Sequence, residues 1–225
     1  MTHTLPIDSK EFLERAQSNG IIPVISVPDA DLAEPLADTL WQAGISIVEI
    51  TFRTTEGAQA IRNMRRTHPR MLVGAGTVIS PSDVESAIDA GAMFALSPST
   101  LSETLTYTAK RSLTFIPGVM TPSDIAICLQ NGLHIMKFFP ATQAGGPDML
   151  SALYAPFEHL DVKIIPTGGV TLDNIEQWLK LDNVVAVGGS WIARSTDLIA
   201  RNWEVIYDRA KNAAATIAAL RQSSS

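Results

Sequence analysis

The chain has 225 residues, of which 46% are hydrophobic and 18% are charged, and 17 basic against 23 acidic residues give a formal net charge of −6. This composition excludes a disordered chain, and the length allows one or two domains. The acidic balance argues against nucleic-acid binding, which depends on basic residues, and no uncharged run is long enough to predict a transmembrane helix.

The predicted elements begin with a helix over about residues 8–18, where Asp8 and Glu11 form a box-like start. Eight nearly continuous apolar runs follow, a pattern that is typical of parallel strands buried on both faces. The runs begin near Ile21, Ile45, Met71, Ala92, Leu113, Leu133, Val162 and Val184. Each interval accommodates one strand, a short loop and one helix.

Capping patterns predict where the intervening helices begin and end. The segments SPSD at Ser80 and TPSD at Thr121 each combine an N-cap hydroxyl, a proline at the first helical position and an acid in the first turn. Similar starts are predicted at Thr54 and Thr171. Helix ends are predicted at Gly44, Gly91 and Gly132.

This order of elements predicts an α/β fold, a (β/α)8 TIM barrel with one extra N-terminal helix, in which the barrel covers about residues 20–220. An open doubly wound sheet is the alternative, but eight near-equal units without a long interruption favour closure. Because no linker or charge block divides the chain, residues 1–225 are predicted to form one domain.

Two charged residues interrupt apolar strands near the carboxyl ends, where the active sites of parallel barrels lie. Lys137 lies in the run HIMKFFP, where burial favours an uncharged amine that can attack a carbonyl and form a Schiff base. An isolated lysine more often extends its head group to solvent. Glu49 lies in the run ISIVEITF and needs a partner, either Lys137 or Arg53. Alone it fits a structural ion pair as well as a general acid/base.

A carboxylate-binding site is predicted at the same edge from Arg53 and Thr77. An arginine offers a planar fork of donors, and a threonine hydroxyl or a nearby backbone N–H adds a further hydrogen bond. A surface salt bridge is the alternative for Arg53. The segment Gly74-Ala75-Gly76 before Thr77 fits a tight turn at a strand end.

Two glycine pairs predict a phosphate-binding site. Gly168 and Gly169 follow the seventh predicted strand, and Gly188, Gly189 and Ser190 follow the eighth, with Ser190 expected to begin a short helix. Barrels commonly bind phosphate between these two loops through free backbone N–H groups. Each pair alone is more typical of a turn, whereas both at these positions favour phosphate.

No metal site is predicted, because the four histidines lack the spacing of metal ligands. The single cysteine, Cys128, excludes an intrachain disulfide, lies in an apolar segment typical of the core, and predicts a reducing, cytoplasmic location. The first residues lack the order of a signal peptide.

The chain carries, in this order, the motifs VEITFRT, VGAGTV, ALSP, FIPGVMTPSD, MKFFPA, PTGGV and VGGSW. Together they resemble the bacterial 2-dehydro-3-deoxy-phosphogluconate (KDPG) and 4-hydroxy-2-oxoglutarate (KHG) aldolase family over nearly the whole chain. The resemblance implies a metal-free class I aldolase without a cofactor. It would cleave KDPG, a phosphorylated 2-oxo sugar acid, to pyruvate and glyceraldehyde 3-phosphate, act also on KHG, and form a homotrimer.

The resemblance also implies a role for each matched residue. Lys137 is the implied Schiff-base lysine and Glu49 the implied general acid/base, while Arg53 and Thr77 would bind the pyruvate carboxylate. The remaining implied contacts are with the rest of the substrate at Pro98, Phe139 and Thr167, and with its phosphate at Gly168, Gly169, Gly189 and Ser190.

Two departures from the family pattern lie beside these positions. Ser99 stands where the family usually has glycine, and Thr142 stands where it usually has glutamate. One rival function is a phosphogalactonate aldolase, which resembles this chain but lacks the arginine, so that Arg53, Phe139 and Thr167 favour the gluconate. The others are a phosphosugar isomerase or epimerase barrel, which needs no strand lysine, and a non-catalytic phosphosugar-binding barrel.

Overall fold

The computed structural model describes residues 7–223 of the chain. Asp8 caps the first helix, α1 (Ser9–Asn19), and its carboxylate accepts a 2.8 Å hydrogen bond from the N–H of Glu11, which confirms the predicted start. The elements that follow are β1 (Ile21–Ile25), a 3-10 turn (Ala30–Leu32), α2 (Ala33–Gln42), β2 (Ile47–Thr51), α3 (Gly57–Thr67), β3 (Leu72–Gly76), α4 (Pro81–Asp89), β4 (Phe94–Leu96), α5 (Ser102–Thr108), β5 (Thr114–Ile116), β6 (Gly118–Val119), α6 (Pro122–Gln130), β7 (Ile135–Phe138), α7 (Gly146–Tyr154), a 3-10 helix (Ala155–Leu160), β8 (Lys163–Pro166), α8 (Ile175–Leu179), β9 (Val187–Gly189), α9 (Ser195–Ile199) and α10 (Trp203–Ser223). Within residues 7–223, no helix combines the length and the apolar character needed to cross a membrane.

The strands begin at or shortly after the predicted positions. The fifth predicted strand differs, because Pro117 divides it into β5 and β6. A proline has no N–H to donate to a neighbouring strand. Its carbonyl still accepts a 2.8 Å hydrogen bond from the N–H of Lys137, so the hydrogen bonding between β6 and β7 already begins at Pro117.

The predicted capping patterns have mixed outcomes. Ser80 and Thr121 both form complete capping boxes at the starts of α4 and α6, as predicted. The starts predicted at Thr54 and Thr171 are wrong, because α3 and α8 begin later and neither has a side-chain cap. The Thr54 hydroxyl instead donates to the carbonyl of Val27 (2.8 Å), while the N–H of Thr171 donates to a side-chain oxygen at Asn174 (2.9 Å).

All paired strands are parallel. They form a six-stranded sheet in the order β5-β4-β3-β2-β1-β9 and a three-stranded sheet in the order β6-β7-β8. Isolated parallel bridges join Ile164 to Val184 and Thr167 to Gly188, next to the ends of β8 and β9. The chain therefore has an α/β fold in which the carboxyl ends of the strands lie on one side.

The two faces of the strands contribute to two different apolar clusters. The larger one contains the side chains between strands and helices, including Val48 and Ile50. The second contains side chains of the opposite strand face together with Phe12 of α1, whose ring centroid lies 4.9 Å from that of Phe94. Members of this inner cluster include Ile22, Ile47, Leu72, Phe94, Ile116 and Ile165. Side chains alternate along a strand, so Glu49 shares the inner face with Ile47 and lies nearer the carboxyl end.

Candidate active site

Lys137 and Glu49 meet on the inner strand faces, although 88 residues separate them in sequence. β7 supplies the lysine and β2 the glutamate, and their exposed fractions are 3% and 1%. Nζ of Lys137 lies 3.2 Å from Oε1 and 3.4 Å from Oε2 of Glu49. Lys137 is thus the partner that buried Glu49 needs. The amine and the carboxylate are within the distance that proton transfer requires.

An aromatic ring lies beside this pair. Nζ of Lys137 is 5.7 Å from the ring centroid of Phe139, a distance at which a cation interacts favourably with a ring face. Phe139 itself is half-buried just past the end of β7. The amine therefore has apolar surroundings on one side and a carboxylate on the other.

Arg53 and Thr77 follow the ends of neighbouring strands. The N–H of Phe52 donates to the carbonyl of Gly76 (2.8 Å), which holds the segment after β2 beside the end of β3. Arg53 is exposed, and within residues 7–223 no acidic oxygen lies within 4.0 Å of its guanidinium group. The described part of the chain thus contains no salt bridge that would account for this arginine.

Thr77 has a strained backbone, with φ at 61°. A β-branched residue in the left-handed region is a genuine outlier, and such conformations cost on the order of 1–3 kcal/mol. Among the residues described, none forms a hydrogen bond with the Thr77 hydroxyl. The combination of strain with an unpaired hydroxyl is typical of a binding position, and the sequence gives no sign of this strain.

The Gly168-Gly169 loop lies beside the end of β9. Both glycines have positive φ, 101° and 76°, and Thr167 bridges to Gly188. The N–H groups of Gly168, Gly169 and Ser190 have no acceptor among residues 7–223, which leaves them available to an anion. Gly189 is paired with Pro23 of β1.

The helix predicted to begin at Ser190 is wrong. Ser190 lies in an exposed turn, and α9 begins at Ser195. The acid of its first turn is Asp197, whose carboxylate accepts a 3.3 Å hydrogen bond from the N–H of Arg194 and sets the start there. Anion binding at this loop would therefore depend on loop amides and not on a helix N-terminus.

The two departures lie close to predicted contacts. The hydroxyl of Ser99 is 3.4 Å from that of Ser97, next to half-buried Pro98. Thr142 is exposed, and its N–H donates to the carbonyl of Gly168 (3.0 Å), so it lies directly beside the glycine loop.

The described residues offer little support for metal-ion chemistry or for a cysteine nucleophile. The part of the chain between residues 7 and 223 contains no group of three or more His, Cys, Asp or Glu residues able to hold a metal ion. Cys128 is fully buried in the core, as predicted, and burial raises the pKa of its thiol to about 11. Such a thiol is a poor nucleophile near neutral pH.

A buried amine beside a carboxylate, near the carboxyl ends of parallel strands, is the arrangement expected of the enzymes that bind carbonyl compounds through a lysine imine. The comparisons with known proteins specify the family. The sequence model described as KDPG and KHG aldolase matches residues 13–208. The chain therefore belongs to the KDPG and KHG aldolase family.

Individual relatives match this chain over most of their length. The 2-dehydro-3-deoxy-phosphogluconate aldolase of Haemophilus influenzae is 38% identical over 198 residues, which cover 88% of this chain and 92% of that protein. The KHG/KDPG aldolase of Escherichia coli K12 is 35% identical over 193 residues, covering 86% and 90%. A crystal structure of KDPG aldolase from Legionella pneumophila, with pyruvate captured at low pH as a covalent carbinolamine intermediate, is 38% identical. It matches with a TM-score of 0.84 over 88% of this chain and 96% of that chain.

Proposed function

We propose that this chain is a class I aldolase that cleaves KDPG to pyruvate and glyceraldehyde 3-phosphate and also acts on KHG. The observation that carries the proposal is the buried contact of 3.2 Å between Nζ of Lys137 and Oε1 of Glu49. In a member of this family, that contact combines a nucleophile for the substrate carbonyl with a group that can move protons.

The reaction begins when Glu49 accepts a proton from the Lys137 ammonium group and the resulting amine attacks C2 of the substrate. Glu49 transfers protons while the carbinolamine loses water to give an iminium ion. The iminium accepts the electron pair of the breaking C3–C4 bond, so an enamine forms in place of a free carbanion. Glu49 takes the proton of the C4 hydroxyl, directly or through a water, and glyceraldehyde 3-phosphate leaves. Protonation at C3 and hydrolysis of the imine then release pyruvate and regenerate the amine.

The substrate carboxylate is assigned to Arg53 and Thr77. The free guanidinium of Arg53 can bind both carboxylate oxygens, and the unpaired Thr77 hydroxyl can donate to one of them. At the other end of the substrate, the phosphate is assigned to the free amides of Gly168, Gly169 and Ser190, next to Gly189, whose pairing with Pro23 holds the end of β9 there. The contacts assigned between the two ends are Pro98, Phe139 and Thr167.

The same proposal includes a closed barrel. Continuity of β5 with β6 around Pro117, the bridge from Thr167 to Gly188 and the pairing of β9 with β1 support a single (β/α)8 barrel, preceded by α1. An open doubly wound sheet would not pair its last strand with its first. The single domain, the homotrimer and the cytoplasmic location stay predictions. Light scattering of the purified protein tests the homotrimer.

Borohydride trapping tests the proposed chemistry. Incubation with pyruvate and borohydride is expected to fix one adduct on Lys137, while EDTA leaves turnover unchanged. Lys163 is the internal control, since it is partly exposed and 2.7 Å from Asp161. An adduct on Lys163, or inactivation by EDTA that zinc reverses, would overturn the assignment. Turnover of the two C4-epimeric substrates separates the gluconate from the galactonate activity.

A further inference from the structure

We propose that Gly76 is a positioning residue, which sets the carboxylate of Glu49 against the Lys137 amine because it has no side chain. The inference rests on the proposed role of Glu49 in proton transfer. It also changes the interpretation of the Gly74-Ala75-Gly76 segment, because these residues are the regular end of β3 and form no tight turn.

The backbone of Gly76 does not require glycine. Gly76 pairs with Thr51 in the parallel ladder, and its φ lies outside the left-handed region. An alanine could therefore adopt this conformation without strain. At this position there is no space for a side chain.

The space in question is occupied by Glu49. A Cβ built on Gly76 would lie 2.6 Å from both Cγ and Cδ of Glu49 and closer still to Oε1. Real Cβ atoms do not approach other heavy atoms this closely. Oε1 is the oxygen that lies nearer to Nζ of Lys137. An added methyl group would thus displace the atom on which the ion pair depends.

The glutamate has little room to move aside. Its side chain is 1% exposed and packs within β1, β2 and β3, whose registers fix it beside Val24 and Gly74. Relief of the overlap must therefore come from rotation of the carboxylate away from the amine or from separation of the strands. Either change lengthens the contact between the carboxylate and the amine.

Gly74 provides a matched control from the same strand and the same face. A Cβ built there would lie 2.5 Å from Cδ2 and Cζ of Phe94, a core ring, and not against Glu49. Gly74→Ala is therefore expected to lower the melting temperature without specific loss of proton transfer.

The test measures exchange of the pyruvate methyl protons at saturating pyruvate. For Gly76→Ala we expect a fall of about 10²-fold or more, within the range that loss of a general acid/base produces. For Gly74→Ala, the rate per folded molecule is expected to stay within about threefold of the parent. The Gly76→Ala change should add little to Glu49→Gln, because both act on one group.

The outcomes distinguish this inference from the proposed function. If Glu49→Gln itself exchanges protons normally, the role of Glu49 is wrong. If Glu49→Gln fails but Gly76→Ala exchanges normally, Gly76 has no positioning role. A similar specific loss in Gly76→Ala and Gly74→Ala would also overturn the inference, because any distortion of β3 would then suffice.

A stability cycle covers the case in which Gly76→Ala folds poorly. Truncation by Glu49→Ala opens the space that the new methyl group needs. Gly76→Ala should therefore lower the melting temperature in the parent but not in the Glu49→Ala background. An equal loss in both backgrounds, or no recovery of folding in the double variant, would contradict the proposal.

Discussion

Substitutions of Glu49 in β2 and of Arg53 in the turn that follows should impair different steps of the reaction. Glu49 is buried against Lys137, whereas Arg53 is exposed and has no acidic partner within the described ranges. Glu49→Gln keeps the size of the side chain in its narrow space but removes the base. Arg53→Lys keeps the positive charge but removes the planar fork that binds two oxygens at once. The first change concerns proton transfer and the second concerns affinity.

The expected magnitudes follow from these positions. General acid–base catalysis is typically worth about 10²–10⁴-fold, so kcat of Glu49→Gln should fall by that order. Imine formation should slow as well, because carbinolamine dehydration needs the same group. A hydrogen bond to a charged group is worth about 1.5–3 kcal/mol. Loss of one such bond in Arg53→Lys should raise KM for every 2-oxo acid by roughly 10- to 100-fold, since about 1.4 kcal/mol corresponds to tenfold.

The assay is deuterium exchange at the pyruvate methyl group, which requires the enamine but no phosphate. Glu49→Gln should exchange slowly even at saturating pyruvate, whereas Arg53→Lys should regain most of the parent rate as pyruvate is raised. A melting curve for each variant controls for folding. Equal behaviour of the two variants at saturation would refute the division of roles, and the buried pair would then be a structural ion pair.

Three further predictions concern Ser190 and Thr77, which lie beyond the strand ends, and Cys128 in the core. Ser190→Asp places a negative charge in an exposed turn beside free amides, and a charge pair near 4 Å in water is worth about 1 kcal/mol. KM for KDPG should therefore rise by roughly fivefold while KHG turnover and Ser190→Ala stay near the parent, and equal losses for both substrates would contradict phosphate binding there. Thr77→Asn should stabilise the protein by about 1 kcal/mol, because asparagine tolerates the left-handed backbone, and should raise KM for pyruvate. Lower stability in urea would refute the strain argument. Burial raises the pKa of Cys128 from 9.0 to about 11, so its contribution to stability is present below pH 9 and is lost as pH rises toward 11. The stability difference between the parent and Cys128→Ala should shrink over that interval, and alkylation at pH 8 should follow global unfolding.

The sequence allows the positions of most strands and of two helix starts to be predicted. Buried parallel strands are continuous apolar runs, and proline-containing caps are strong local signals. Ser80 and Thr121 succeed because the hydroxyl, the proline and the acid all act within one helical turn. Ser190 fails because the acid that starts α9, Asp197, lies further along the chain. Thr54 fails because a tertiary contact decides it, since its hydroxyl bonds to Val27 on another part of the chain. Local patterns cannot report such partners.

The candidate site shows the same division. The sequence identifies Lys137 and Glu49 as charges in apolar strands, and burial then requires each to find a partner. It does not distinguish a glycine that permits a turn from one that makes space, because both are only the absence of a side chain. Gly76 and Gly188 belong to the second kind, since a Cβ on Gly188 would lie 2.9 Å from Cβ of Thr167. The space that Gly188 leaves for Thr167 becomes visible only when the neighbouring strand is in register.

The site consists of two parts that respond differently to change. Lys137 and Glu49 are buried above an apolar cluster, and each is fixed by strand register on both sides. Arg53 and Ser190 are exposed beyond the strand ends and have no side-chain partners in the described chain. Changes in the buried part must therefore affect stability and kcat together, because an unpaired buried charge costs about 3–5 kcal/mol. Changes at these two exposed residues, the rim of the site, disturb no packing, so they should alter KM and substrate preference at nearly constant stability. Specificity for phosphorylated against unphosphorylated 2-oxo acids can thus vary at the rim while the proton-transfer pair stays the same.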